Sequence, residues 1–535
     1  MWRLLLTLLM MSAVCCDSEL VREGLRTKET MAYIDSLVQQ DRQQQQQMPP
    51  QHIQAIPLPS LPSLQSPGLV NDLSPKDDPV AIRLSGSSVK RPLPPSTYVD
   101  LATSDQIAKS VLNFGNILAQ HLGQRKTEIF SPLSIVQSLA LLLLGARGRS
   151  YEELSRVFAI QDTSRLHEQF GLMLQDLQQP TRAGLSPGRP TTEWRATGTM
   201  RPSRKAQRPG AHEVHLANGL FTQTGYSLNP DYRRAVEEVY GSQLEVQDFE
   251  GSPATARYNI NRWVAEHTKN LIQNIIASDI PQSTRLILAN ALYFKGFWEN
   301  DFMEFTTRPD NFYPNGEGTQ PVVRVQMMAT GGTFPYHEDY ELGCKIIGLP
   351  YRGNLSTMYV IQPLKSSTKA LKDLQAVLTA DKIEELISRM FRRSAIIAFP
   401  KMHLTESVNL KTVLQNMGLG GIFSTVQNDL SLIATNDATR TSSLGGNSLQ
   451  NLEAQRRAGS GGARSDLVVD DIVHKVDFTV NEQGTEAAAS TVTYLKKSGP
   501  DVLFRADTPF MLLVRHDPTK LVLFYGIINE PPAAA

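Results

Sequence analysis

The stretch Gly484-Thr485-Glu486-Ala487-Ala488-Ala489-Ser490, continuing through Thr491-Val492-Thr493-Tyr494-Leu495-Lys496-Lys497-Ser498-Gly499, decides how the rest of the chain is read. A strand with one buried face alternates its side chains by two. One parity here is Thr485, Ala487, Ala489, Thr491, Thr493 and Leu495, small or apolar and without charge. The other holds Glu486 and Lys496, so only the first set can face a core without a large desolvation cost. No proline occurs from Gly484 through Gly499, so every residue can donate a ladder hydrogen bond. The segment therefore has the composition of an exposed Ala-rich loop and the pattern of a central strand.

Working outward, the chain has 535 residues, 41% of them hydrophobic, with 53 basic and 53 acidic side chains. A net charge of zero gives no bulk attraction to nucleic acid or another polyanion. Residues 1–16 read as a secretory signal: Met1-Trp2-Arg3, an apolar run from Leu4 to Met11, and a small-residue exit at Ser12 to Cys16. No later run reaches the ~20 apolar residues of a membrane-spanning helix, so an exported, soluble chain is expected. Cys15 and Cys16 lie at the signal exit, which leaves Cys344 alone. A disulfide-stapled scaffold and a Cys-rich zinc site are thereby excluded, and no metal or cofactor is expected.

Residues 17–100 carry Gln43 to Gln47 and a Pro-, Ser- and Leu-rich stretch from Pro49 to Pro67, a composition that buries too little to order itself. Helical spacing begins at Ile107, Val111, Phe114, Leu118 and Leu122, with Ser104 as the expected N-cap. Helices and strands then alternate irregularly, predicting one α+β domain over 101–535. Two segments, about 180–210 and 436–465, read as disordered surface insertions. The first carries Arg182, Arg189, Arg195, Arg201, Arg204, Lys205 and Arg208 against one acid, Glu193, and is a candidate polyanion-binding arm or a solvated, protease-clipped one. Its Gly184-Leu185-Ser186-Pro187-Gly188 mimics a hydrolase nucleophile elbow but lacks the strand and helix that motif needs. Asn354-Leu355-Ser356 is a glycosylation sequon.

Ile129-Phe130-Ser131-Pro132-Leu133-Ser134-Ile135, Leu143 to Gly148, Asn290 to Gly296 with Trp298, Phe504 to Asp507 with Pro509-Phe510, and Phe524-Tyr525-Gly526 are similar to signatures of the serpin family, and so is Gly484 to Ala489. They fall in serpin order, and the chain resembles the secreted serpins of arthropod haemolymph. The resemblance implies three β-sheets, about nine helices and an exposed reactive loop near the C-terminus. It implies a monomeric suicide inhibitor rather than an enzyme: a target serine protease acylates itself on the loop, and the cut loop inserts into the main sheet. Ser131, Ser134, Asn290 and His474 would form the polar cluster beneath that sheet, and Trp298 would pack where the loop inserts. The family's usual Asn before Ser131 is replaced by Thr127, which removes one expected hydrogen bond. Family spacing from Gly484 places the cut at Ser498-Gly499, and a loop one residue shorter places it at Lys497-Ser498. Lysine suits a trypsin-like pocket and serine a small one. Small residues at Thr485 and Ala487 favour an inhibitor over a carrier or chaperone with a blocked hinge. A sulfated polysaccharide partner, and a role in clotting, immune or melanisation cascades, are expectations from the family.

Overall fold

The apolar stripe at helical spacing starts the fold: Ile107, Val111, Phe114 and Leu118 are all buried on α1 (Leu101–Leu122). In the computed structural model the described residues are 100–122, 126–160, 162–178, 194, 213–353, 355–435, 447–458, 466–484 and 499–533. All belong to the unit Arg91–Ala535. The signal, the 17–99 segment, Asn354 and the seven basic residues of the first insertion lie outside them.

The α1 cap is one turn earlier than expected. The Asp100 carboxylate accepts the Ala102 N–H at 3.1 Å and the Thr103 hydroxyl. The Ser104 N–H is already committed to the Asp100 carbonyl at 2.9 Å, so Ser104 lies inside the first turn. β1 (Thr127–Phe130) leads to Ser131, which caps α2 (Pro132–Gly145) by accepting the Ser134 N–H at 3.1 Å; Pro132 supplies the preset φ of a first helical residue. Every residue of α2 is buried, so it reads as a continuous apolar run. α3 (Gly148–Phe158), α4 (Thr163–Gln178), α5 (Pro230–Tyr240), α6 (Pro253–His267), α7 (Thr368–Val377), α8 (Ala380–Ser388), α9 (Lys411–Asn416) and α10 (Ser448–Arg457) follow, ten α-helices among the described residues.

A five-stranded sheet runs in the order β11 (Met402–Asn409), β13 (Val469–Val480), β5 (Leu286–Lys295), β2 (Glu213–Gln223), β4 (Gln243–Gln247). β5 lies between α2 and α6 and is buried on both faces, which is why Leu286 to Phe294 is nearly all apolar. β13 buries alternate residues from Ile472 to Val480. A second sheet orders β1, β16 (Leu521–Ile528), β15 (Phe510–His516), β9 (Ser356–Pro363), β8 (Cys344–Pro350), β7 (Val323–Asp339), β10 (Phe391–Pro400) and β14 (Val502–Arg505), with β6 (Arg308–Phe312) on β7. A two-stranded pair, β12 (Ala434–Thr435) with β3 (Ser227–Leu228), is the third.

Two expected insertions need correction. Within 436–465, α10 is a formed helix: Asn447 caps it by accepting the Leu449 N–H at 2.9 Å, and Leu452 is buried where it packs on α5 and α4. Tertiary burial of one apolar residue and a good cap outweigh a Gly- and Ser-rich neighbourhood. Within 180–210, Trp194 is buried, with the Arg392 guanidinium 5.2 Å from its ring centroid. That residue at least is packed against β10 rather than solvated.

Candidate functional site

β13 and β5 are parallel neighbours, while β11 and β2 flank them antiparallel. The β13–β5 ladder ends at Val476 opposite Leu292, although β13 continues to Val480 and β5 to Lys295. Beyond that point β13 and β5 are not paired with each other among the described residues.

Below that point a polar row crosses the sheet. His474 stands opposite Asn290, and Asn290 opposite Asn218. His474 Nε2 accepts the Ser131 N–H at 2.9 Å, so its proton is on Nδ1, which donates to Asn290 Oδ1. The Ser134 hydroxyl donates to Asn218 Oδ1 at 3.0 Å. Ser131, Ser134, Asn290 and His474 are wholly buried. Burial pushes His474 down to about 3, so it is neutral, and both its nitrogens are committed to holding the seam. The amide NH2 groups of Asn290 and Asn218 have no acceptor among the described residues. The four residues expected in the cluster therefore meet. Asn218 was missed; its signal was a lone amide inside the apolar run of β2. Thr127 stands apart, its hydroxyl on the Glu530 carbonyl at 2.7 Å.

At the upper end β13 leads into a tight turn. The Asn481 N–H donates to the Gly484 carbonyl at 3.0 Å, and the Gly484 N–H donates to Asn481 Oδ1 at 3.1 Å. Gly484 has φ 142° and bridges to Phe297, and a Cβ there would lie 2.0 Å from the Gly296 carbonyl oxygen. Only glycine fits. Trp298 donates its backbone N–H to the Gln483 carbonyl (3.0 Å) and its indole N–H to the Asn481 carbonyl (2.9 Å). Its ring stacks on Tyr351 at 4.5 Å, which places Trp298 against the turn that ends at Gly484. Glu482 accepts from Thr307 (2.8 Å) and pairs with Lys401 (3.0 Å). Burial would raise its pKa, but the hydrogen bonds from its own backbone, Thr307 and Lys401 outweigh that and hold it below the usual carboxylate range. Lys401 carries no local sequence signal for this role.

Thr485 to Ser498, which include the hinge residues Thr485, Glu486, Ala487, Ala488, Ala489 and Ser490 and the bond candidates Lys497 and Ser498, lie outside the described residues. Their two anchors are described. Gly484 ends at the seam, and Gly499 leads to β14, where Asp501 donates its N–H to the Ser394 carbonyl at 2.8 Å and β14 pairs in parallel with β10. The loop is thus suspended between two different sheets.

An α+β fold with a segment hung between the seam of one sheet and an edge strand of another is the architecture of a known class. The Manduca sexta serine protease inhibitor serpin-12 shares it, with a TM-score of 0.61 at 23% identity over 80% of this chain and 99% of that one. The family model described as Serpin (serine protease inhibitor) matches residues 109–531. "Serine protease inhibitor 28Dc" of Drosophila melanogaster is 78% identical over 539 residues, covering 100% of both chains. "Leukocyte elastase inhibitor A" of Rattus norvegicus is 30% identical over 409 residues, 75% of this chain and 92% of that one. The chain belongs to the serpin family.

Proposed function

We propose that the chain is a secreted protease inhibitor that traps a trypsin-like serine protease by acylation at Lys497, followed by loop insertion. The observation that carries this is the parallel β13–β5 seam, whose mutual ladder stops at Val476 and Leu292, with Gly484 at its mouth. A chain folding back from the end of β13 runs antiparallel to β13, and therefore also antiparallel to β5. Residues 485–497 would replace one parallel ladder by two antiparallel ones. About a dozen residues gaining paired backbone groups, at ~1 kcal/mol net each, gives on the order of 10 kcal/mol. That is comparable with the stability of a whole domain and supports distortion of an attached protease.

The protease serine attacks the Lys497 carbonyl, the Lys497–Ser498 bond breaks, and the Ser498 amine leaves with the part held by β14. The acylated part is then tethered only at Gly484. Lysine at this position matches a pocket with an acid at its base, and a small pocket would instead direct the cut to Ser498–Gly499. Export by residues 1–16, glycosylation at Asn354, and control of an extracellular cascade complete the reading. Recruitment by a sulfated polysaccharide through Arg182 to Arg208 would be secondary to it.

The test is incubation of the full chain with a panel of trypsin-like and elastase-like proteases. A complex that survives SDS with trypsin-like members is expected, together with a released C-terminal peptide beginning at Ser498. Cleavage without any stable complex across the panel would overturn the inhibitory reading. A peptide beginning at Gly499 would overturn Lys497 alone.

A further inference from the structure

Helix α10 has no counterpart in the sequence reading, and its bonds run in two directions. Towards α5, Gln455 Nε2 donates to Asp231 Oδ2 at 3.1 Å, Asn451 Nδ2 to Asp231 Oδ1 at 3.3 Å, and Asn229 Nδ2 to Gln455 Oε1 at 2.9 Å. Asp231 is completely buried in the first turn of α5. Towards α2, Arg456 donates to the carbonyls of Leu144 (2.9 Å), Leu143 (3.2 Å) and Ala146 (3.1 Å), and its guanidinium lies 4.7 Å from the Tyr151 ring centroid. α2 has no basic residue in its own last turn, so a cation from another element satisfies its orphan carbonyls. Arg147 also donates to the Gln455 carbonyl at 2.5 Å.

α5 lies on the β5 side of the seam, whereas α2 straddles it, packing on β5 and β2 and reaching β13 through its cap, Ser131. α5 feeds β4, which pairs with β2, which pairs with β5. α2 starts at Ser131, whose N–H is held by His474 of β13, and follows β1, which pairs with β16. Admitting a strand between β5 and β13 separates them by about 4.8 Å. A hydrogen bond does not survive such a displacement. Four direct bonds also join α2 to the α5 side: the Tyr232 hydroxyl to the Leu141 carbonyl at 2.9 Å, Ser134 to Asn218, and Gln137 Nε2 to the Tyr240 carbonyl (3.4 Å) and the Ser242 hydroxyl (3.2 Å).

We propose that α10 is a brace that holds α5 to the C-terminal end of α2 and so sets how readily the seam opens. The brace rests on the insertion reading above. Its two ends are links in series, Gln455 and Asn451 at one end and Arg456 with Arg147 at the other. Cutting either end therefore loosens the whole brace.

The test uses the full chain and a synthetic peptide with the sequence of residues 485–498, whose incorporation is followed by native gel shift. An Asn451→Ala/Gln455→Ala variant and an Arg147→Ala/Arg456→Ala variant each incorporate peptide about fivefold faster than the unaltered chain, the rate equivalent of roughly one net hydrogen bond. The variant carrying all four substitutions is no faster than the faster of the two, and Gln455→Ala alone gives the mildest test if the others fold poorly. Thermal unfolding of each variant separates the brace from ordinary destabilisation, in which stability losses and rates would add across the two ends. Additive rates, or unchanged rates with normal incorporation by the unaltered chain, would overturn the brace alone. No incorporation by any form would overturn the insertion reading and the brace with it.

Discussion

At the scale of single residues, His474 makes a pH dependence that can be worked out in sign. Burial holds it neutral with a pKa of about 3, against 6.5 for an ordinary histidine. Between those values the unfolded chain binds the proton and the native chain does not, so stability falls as pH falls through that window. At pH 5 the loss is about 2 kcal/mol, from ~1.36 kcal/mol per unit over roughly 1.5 units. His167, also buried and pushed down to about 3, adds a loss of the same sign. Comparison with a His474→Gln variant isolates the His474 part. Denaturant unfolding at pH 7 and pH 5 should show the unaltered chain losing about 2 kcal/mol more than the variant, and equal losses would remove His474 from the account. Gly484→Ala forces a Cβ onto the Gly296 carbonyl at a φ that suits only glycine. It should cost about 1–3 kcal/mol, read as a lowered Tm. These two residues differ in how legible they were. Gly484 announces itself by its neighbours, whereas His474 in isolation reads as an ordinary core histidine until Ser131, over three hundred positions away, is placed on its Nε2.

At the scale of elements, the parity of residues 485–495 makes the reactive segment a strand in waiting. Its first inward position is Thr485, directly after the hinge turn. A Thr485→Arg variant would have to bury a guanidinium in the first step of insertion. It should be cleaved at an unchanged rate while SDS-stable complex falls by at least tenfold, as gel densitometry against trypsin would report. Unchanged trapping would sink the insertion argument. Element boundaries show where sequence reasoning stopped. The helical pattern was clear in α1 because burial imposes it, whereas the equally regular alternation of β13 was not read from the sequence. The α1 cap moved from Ser104 to Asp100 because either side chain can cap, and Asp100 is the one outside the helix. α10 was invisible because Leu452 is its only buried large apolar residue, and the polar residues that hold it find their partners on α5 and α2.

At the scale of the whole molecule, the proposed insertion would add a strand between β13 and β5. If insertion adds on the order of 10 kcal/mol, chain nicked within 485–498 should unfold about 10 °C or more above intact chain in calorimetry. A nicked form that melts at or below the intact one would mean that the seam does not accept the loop. The sequence by itself determined that the chain has an α+β domain in serpin order and a loop able to become a strand, because alternation, proline absence and motif order are local properties. It also offered two adjacent bonds as candidates for the cut. Only the tertiary structure decided where that strand could go, because the pairing of β13 with β5, the end of their ladder at Val476, and the gathering of Ser131, Asn218, Asn290 and His474 depend on contacts between distant segments.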